Sequence, residues 1–68
     1  MQFPGYNDLT PREREVLKQI VGGFSNKETG RKLGVSPRTI EVHRARIMAK
    51  LGAKNAADLV RIVLSPEH

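Results

Sequence analysis

Between Ser25 and Leu51 the order of residue types leaves room for little except one helix turned sharply into another. Three positions set this: Gly30, Gly34 and Ile40. A residue as small as Gly30 lets a second helix cross close to the first. Gly34 has no Cβ and takes the left-handed conformation that ends a helix. Ser36 then caps the next helix, and Pro37 suits its first turn, where the missing N–H is not needed. Ile40 points back into the crook. A small residue, a glycine after one further turn and a branched apolar residue beyond it meet the steric needs of a helix-turn-helix. Many helical hairpins carry a glycine turn, so the spacing alone predicts a shape and not a use.

The flanking segments read as helices too. Thr10-Pro11-Arg12-Glu13 is a helix start, with Thr10 and Glu13 as a capping box. Val16, Leu17, Ile20 and Val21 give that helix one apolar face, and Gly22-Gly23 ends it. The charges from Arg12 to Glu15 read as caps and a solvated face. Phe24 is expected to anchor in the core. Ser25 with Glu28 makes a second capping box before a short, weakly apolar helix, with Leu33 its main buried residue; such a helix must lean on its neighbours. The third helix spans 37–51 and ends at Gly52. Asn55 with Asp58 caps a fourth, ended by Ser65-Pro66. Its Ala56, Ala57, Leu59, Val60, Val63 and Leu64 mostly pack in the core, and Val60, Val63 and Leu64 also offer a symmetric dimer contact. Residues 1–8 read as a linker or N-terminal arm, 9–64 as the domain and 65–68 as a C-terminal tail. Phe3 and Tyr6 in the arm pack either on the domain or on something beyond it. The expected fold is all-α, a four-helix bundle containing the helix-turn-helix.

Composition narrows the function classes. The 68 residues hold 12 Lys and Arg against 7 Asp and Glu, a formal charge of +5, which points to a polyanionic partner but, taken alone, fits a basic solvated face equally well. Without cysteine there is neither a disulfide nor a thiolate metal site. The two histidines, His43 and His68, are too far apart in the chain to suggest a metal centre. No apolar run spans a membrane and no secretory signal is present, which fits a cytoplasmic setting. No nucleophile, base or metal set clusters, so no enzyme activity and no cofactor are expected.

On a helical wheel the third helix divides in two. Ile40, Ile47 and Leu51 form the core side with Met48 at its edge. Arg38, Glu41, Val42, Ala45, Arg46 and Ala49 form the other. Two alanines flanked by arginines suit close approach of a backbone to a grooved surface, and the major groove of B-form DNA admits one such helix. Arg44 leans toward the core side with its head snorkelling outward. His43, bordering the core near Lys50, suits a phosphate contact from its ring edge.

These residues carry a resemblance. Leu9 to Leu17 resembles the opening of LuxR-type helix-turn-helix domains. So do Gly23, Ser25-Asn26-Lys27-Glu28, Leu33-Gly34-Val35-Ser36, Thr39-Ile40, His43, Ile47 and Lys50-Leu51. Ser36 to Ala45 with Met48-Ala49-Lys50 is similar to the FixJ side of the NarL/FixJ response regulators. Thr29 and Gly30 depart from the Ile-Ala usual in the family. The resemblance covers Leu9 to about Leu64. It implies the DNA-binding effector domain of a two-component transcription regulator, of LuxR/GerE type. Its third helix would lie in the major groove of promoter DNA and its fourth would mediate a homodimer. A receiver domain elsewhere in the full-length protein, and RNA polymerase, are the further partners it implies. At the family's base-facing positions stand Glu41, Val42 and Ala45, with Arg46 close by. Phosphate contacts are expected from Asn26, Lys27, Arg38, Thr39, His43 and Lys50 together with helix-start N–H groups. Lys50→Ala is then expected to weaken binding to all sequences alike. A sigma-factor promoter-reading domain shares the start and the turn but normally lacks the histidine and the capped fourth helix. A protein-docking helical module would bind DNA weakly and indifferently to sequence.

Overall fold

The computed structural model describes Phe3 and residues 5–64. Each helix starts where a side chain takes up an otherwise orphaned backbone N–H. Thr10 Oγ1 accepts from the Glu13 N–H at 3.1 Å and Glu13 Oε1 from the Thr10 N–H at 2.9 Å, opening α1 (Pro11–Val21). Ser25 and Glu28 exchange the same pair of bonds at 3.1 and 2.8 Å before α2 (Asn26–Leu33). Ser36 Oγ accepts from the Thr39 N–H at 3.2 Å at the start of α3 (Pro37–Leu51). Asn55 Oδ1 accepts from the Asp58 N–H at 2.8 Å before α4 (Ala56–Leu64). Such caps contribute about 1 kcal/mol each. The described residues thus form four α-helices and no strand, with one 3₁₀ turn at Tyr6–Asp8.

The turn between α2 and α3 is fixed by Gly30 and Gly34. Gly34 is left-handed at φ 74°, and its N–H bonds the Gly30 carbonyl, as does the Val35 N–H at 2.9 Å. A methyl on Gly30 would lie 2.6 Å from the Val35 carbonyl oxygen and 3.4 Å from Pro37 N. The small residue is therefore needed, and the neighbour that demands it is the backbone of the turn itself.

The core joins Val16, Leu17 and Ile20 of α1, Ile40 and Ile47 of α3, and Leu59 and Val63 of α4 to Leu9 and Phe3. Both α1 and α3 pack against every other helix. Four sequence expectations are corrected. Phe24 is 37% exposed rather than a core anchor, because Gly22-Gly23 carries it outward, where the Lys32 ammonium sits 4.4 Å from its ring. On α2 the buried residues are Thr29 and Gly30, while Leu33 is half-buried. Val63, expected at a dimer contact, is a core residue at 5% exposure, since it follows Leu59 by one turn on the inward stripe. Glu13, assigned to a cap and a solvated face, is 2% exposed. The open question about the arm is settled: Phe3 is buried and stacks edge-on to Tyr6, and Arg14 covers the Tyr6 ring at 4.5 Å. Ser65-Pro66 and the tail lie outside the described residues.

Candidate nucleic-acid interface

The amphipathic split of α3 places its polar side in solvent. Ile40 and Ile47 are fully buried, and Met48 and Leu51 are half-buried against the core. Arg38, Glu41, Val42, Ala45, Arg46 and Ala49 are all exposed. Val42 is an apolar side chain left 40% exposed. A 15-residue helix is about 22 Å long. Its open face carries two methyl-sized side chains at its middle, flanked by guanidinium groups. That shape lets the helix axis come close to a concave surface.

Of the six expected phosphate contacts, Asn26, Lys27, Arg38 and Thr39 lie at the starts of α2 and α3, His43 in the middle of α3 and Lys50 at its end. Lys27, Arg38 and Thr39 are exposed. Among the described residues Lys27, Arg38 and Arg46 enter no ion pair, so their charges face solvent undiminished. Thr39 shares its hydroxyl with Ser36 Oγ at 3.1 Å. Asn26 is half-buried with Oδ1 turned inward and unpartnered, which leaves its amide nitrogen as the donor. His43 is half-buried, and its Nδ1 is enclosed without a hydrogen-bond partner, so only the Nε2 edge can reach an external acceptor. Arg44 is half-buried and forms no ion pair with an α1 glutamate.

Lys50 differs from the rest. Its ammonium lies 2.7 Å from Glu13 Oε1 and 3.1 Å from the Asp8 carbonyl oxygen, so α3 is tied at once to α1 and to the arm. The Glu13 side chain is 3% exposed and that of Lys50 35%. Burial alone pushes the Glu13 carboxyl up, but the Lys50 hydrogen bond, the Thr10 N–H and the charges of Lys50 and His43 together hold it below its ordinary value. Lys50 is thus structural as well as superficial, and truncating it would no longer report on a phosphate contact alone. The pair joins residues far apart in sequence, and only one signal pointed to it. Glu13 starts the same helical stripe as Val16, Leu17 and Ile20, so a carboxylate was bound to face the core and need a cation.

The dimer candidates fall on another element. Val60 is half-buried and Leu64 is 64% exposed, both on α4. Asp58 holds Arg61 at 2.6 Å, and its carboxyl is kept low by the Lys54 N–H and by Arg61. The described residues contain no cluster of His, Cys, Asp and Glu able to hold a metal, and no helix long and apolar enough to cross a membrane.

The sequence model of the GerE family, described as bacterial regulatory proteins of the luxR family, matches residues 7–63. The chain is 51% identical over 57 residues to the transcriptional regulatory protein FixJ of Rhizobium meliloti, covering 84% of this chain and 28% of the relative. It is 48% identical over 50 residues to the C4-dicarboxylate transport transcriptional regulatory protein DctR of Rhodobacter capsulatus, covering 74% and 25%. With the transcriptional regulatory protein UhpA of Escherichia coli it shares 47% over 53 residues, covering 78% and 27%. The chain therefore spans about a quarter of the length of these relatives.

Proposed function

This chain belongs to the luxR family of bacterial regulatory proteins, and from that premise we propose that it reads promoter DNA with α3 in the major groove. The observation that carries the reading is the outward face of α3. Glu41, Val42, Ala45 and Arg46 are exposed and shaped for close approach, and among the described residues Glu41 and Arg46 enter no ion pair. Glu41 accepts from a cytosine amine, Val42 meets a thymine methyl, and Arg46 bonds guanine or a phosphate. Asn26, Lys27, Arg38, Thr39 and the Nε2 edge of His43 hold the sugar-phosphate backbone and set the register. Lys50 joins them by the donor its ion pair leaves over. The relatives named above are regulators of transcription, which supports the same role here in a two-component response regulator. In that role a receiver domain governs access to DNA and RNA polymerase is the downstream partner in the cytoplasm. Two copies meet through Val60 and Leu64 of α4 on a two-fold site.

The test is a binding titration on a footprinted site and on single-base variants of it, at several salt concentrations. Arg38→Ala is expected to weaken every site equally and to reduce the slope of log K against log salt by roughly 0.9. Val42→Ala is expected to leave that slope unchanged and to shift base preference at one position. Equal binding to all duplexes by the parent protein would remove the reading, as would the reverse assignment of the two variants. Footprints of two half-sites about one helical turn apart support the dimer, and a single half-site excludes it.

A further inference from the structure

Within the proposed DNA-facing set, Lys50 alone has a carboxylate partner among the described residues. That partner is enclosed: the Glu13 side chain is 3% exposed, and its Oε1 also accepts from the Thr10 N–H at 2.9 Å. A carboxylate so placed is not readily left without its counter-charge. The Lys50 ammonium therefore stays with it when another anion approaches. Of the three donors on an ammonium, Glu13 takes one and the Asp8 carbonyl a second, leaving one for an outside acceptor.

We propose that Glu13 sets how much of the DNA affinity is independent of sequence: it neutralises Lys50 in place, so that Lys50 offers a phosphate one aimed N–H instead of a free cation. This rests on the DNA-binding reading above and deepens it. A free lysine displaces a counterion from the duplex, and a lysine already paired with a fixed carboxylate displaces much less. The pair thereby keeps the register of a phosphate contact while limiting its contribution to indiscriminate binding. Glu13→Gln isolates the effect. Glutamine serves the capping box as well as glutamate does, and its carbonyl oxygen still accepts from Thr10 and Lys50, so only the charge is removed.

The experiment is a fluorescence-anisotropy titration of a labelled mixed-sequence duplex across a salt series, with folding checked by circular dichroism. The proteins are the parent chain, Glu13→Gln, Glu15→Gln and the double variant Glu13→Gln/Lys50→Met. Glu13→Gln is expected to bind about three- to tenfold tighter at low salt, with a slope steeper by roughly 0.9. Glu15→Gln alters a carboxylate paired with Arg12 on the exposed side of α1 and is expected to leave the slope unchanged. The double variant is expected to lose both the gain and the added slope. An unchanged slope in Glu13→Gln overturns the inference, as does an equal gain in Glu15→Gln or a gain that survives in the double variant. If Glu13→Gln does not fold, the double variant decides. A slope near the parent's supports a Lys50 already neutralised, and one shallower by a full 0.9 overturns it. Absence of any duplex binding by the parent overturns the DNA reading and the inference together, whereas binding with the wrong slopes overturns the inference alone.

Discussion

At Glu13 and Lys50 the stability of the fold and the proposed DNA contact share one ion pair, and the cost of breaking it falls mostly on the glutamate. Removing the cation leaves a carboxylate in the core without compensation, and such a loss is typically several times that of a surface pair. Lys50→Ala is expected to destabilise the fold by about 3 kcal/mol, read from urea denaturation. A change under about 1 kcal/mol would place the pair with ordinary surface bridges. The same site governs acid sensitivity. Glu13 is held below its ordinary pKa in the fold, so the unfolded chain binds the proton more readily. Its contribution is complete above the unfolded value of roughly 4.3 and is lost as pH falls through the lower folded value. Melting temperature is expected to hold steady down to about pH 5 and to fall below it. In Glu13→Gln the neutral melting temperature drops and the acid limb becomes shallower. An acid limb identical in that variant would assign the effect to Glu28 and Asp58, whose carboxyls are also lowered, first by the Ser25 and Lys54 N–H groups.

At the scale of the helix, the α2–α3 turn is the most constrained element. A methyl at Gly30 meets backbone and not a movable side-chain end. Gly30→Ala would gain about 1 kcal/mol in helix propensity and lose about 1–3 kcal/mol to overpacking. The net expectation is a loss of about 1 kcal/mol, measured as a lower thermal midpoint; a rise would show that the turn yields. The helices themselves were legible because their signals are local: Thr10 with Glu13, Ser25 with Glu28, Ser36-Pro37, and Asn55 with Asp58 each lie within one turn. The exposed face of α3 was legible for the same reason, since a wheel needs only its own residues. What escaped was long-range. The Glu13–Lys50 pair and the seat of Phe3 depend on elements meeting in space. The outward path of Phe24 depends on the left-handed Gly23, at φ 87°, a choice that glycine permits and sequence does not dictate. Val63 was misplaced because an apolar residue on a short helix fits a core or a partner equally well until the neighbouring helix is known.

For the molecule as a whole, the described residues of the arm pack onto the helices. Phe3 closes one side of a small core, and Arg14 clamps the residue that supports it, over the Tyr6 ring and through Nε to the Tyr6 carbonyl at 3.3 Å. A chain of this size has only about 3–10 kcal/mol of net stability. Phe3→Ala is expected to cost about 3 kcal/mol of it, seen as a lower urea midpoint with an unchanged circular dichroism spectrum in water. A midpoint equal to the parent's would return the arm to the role of a linker. The position of that aromatic ring also determines how mechanical load enters the protein. A tug on the polypeptide upstream of it is resisted first by a side chain buried in the core. Tension then passes through the Asp8 carbonyl to Lys50 at the end of α3 before any turn of that helix has to unwind.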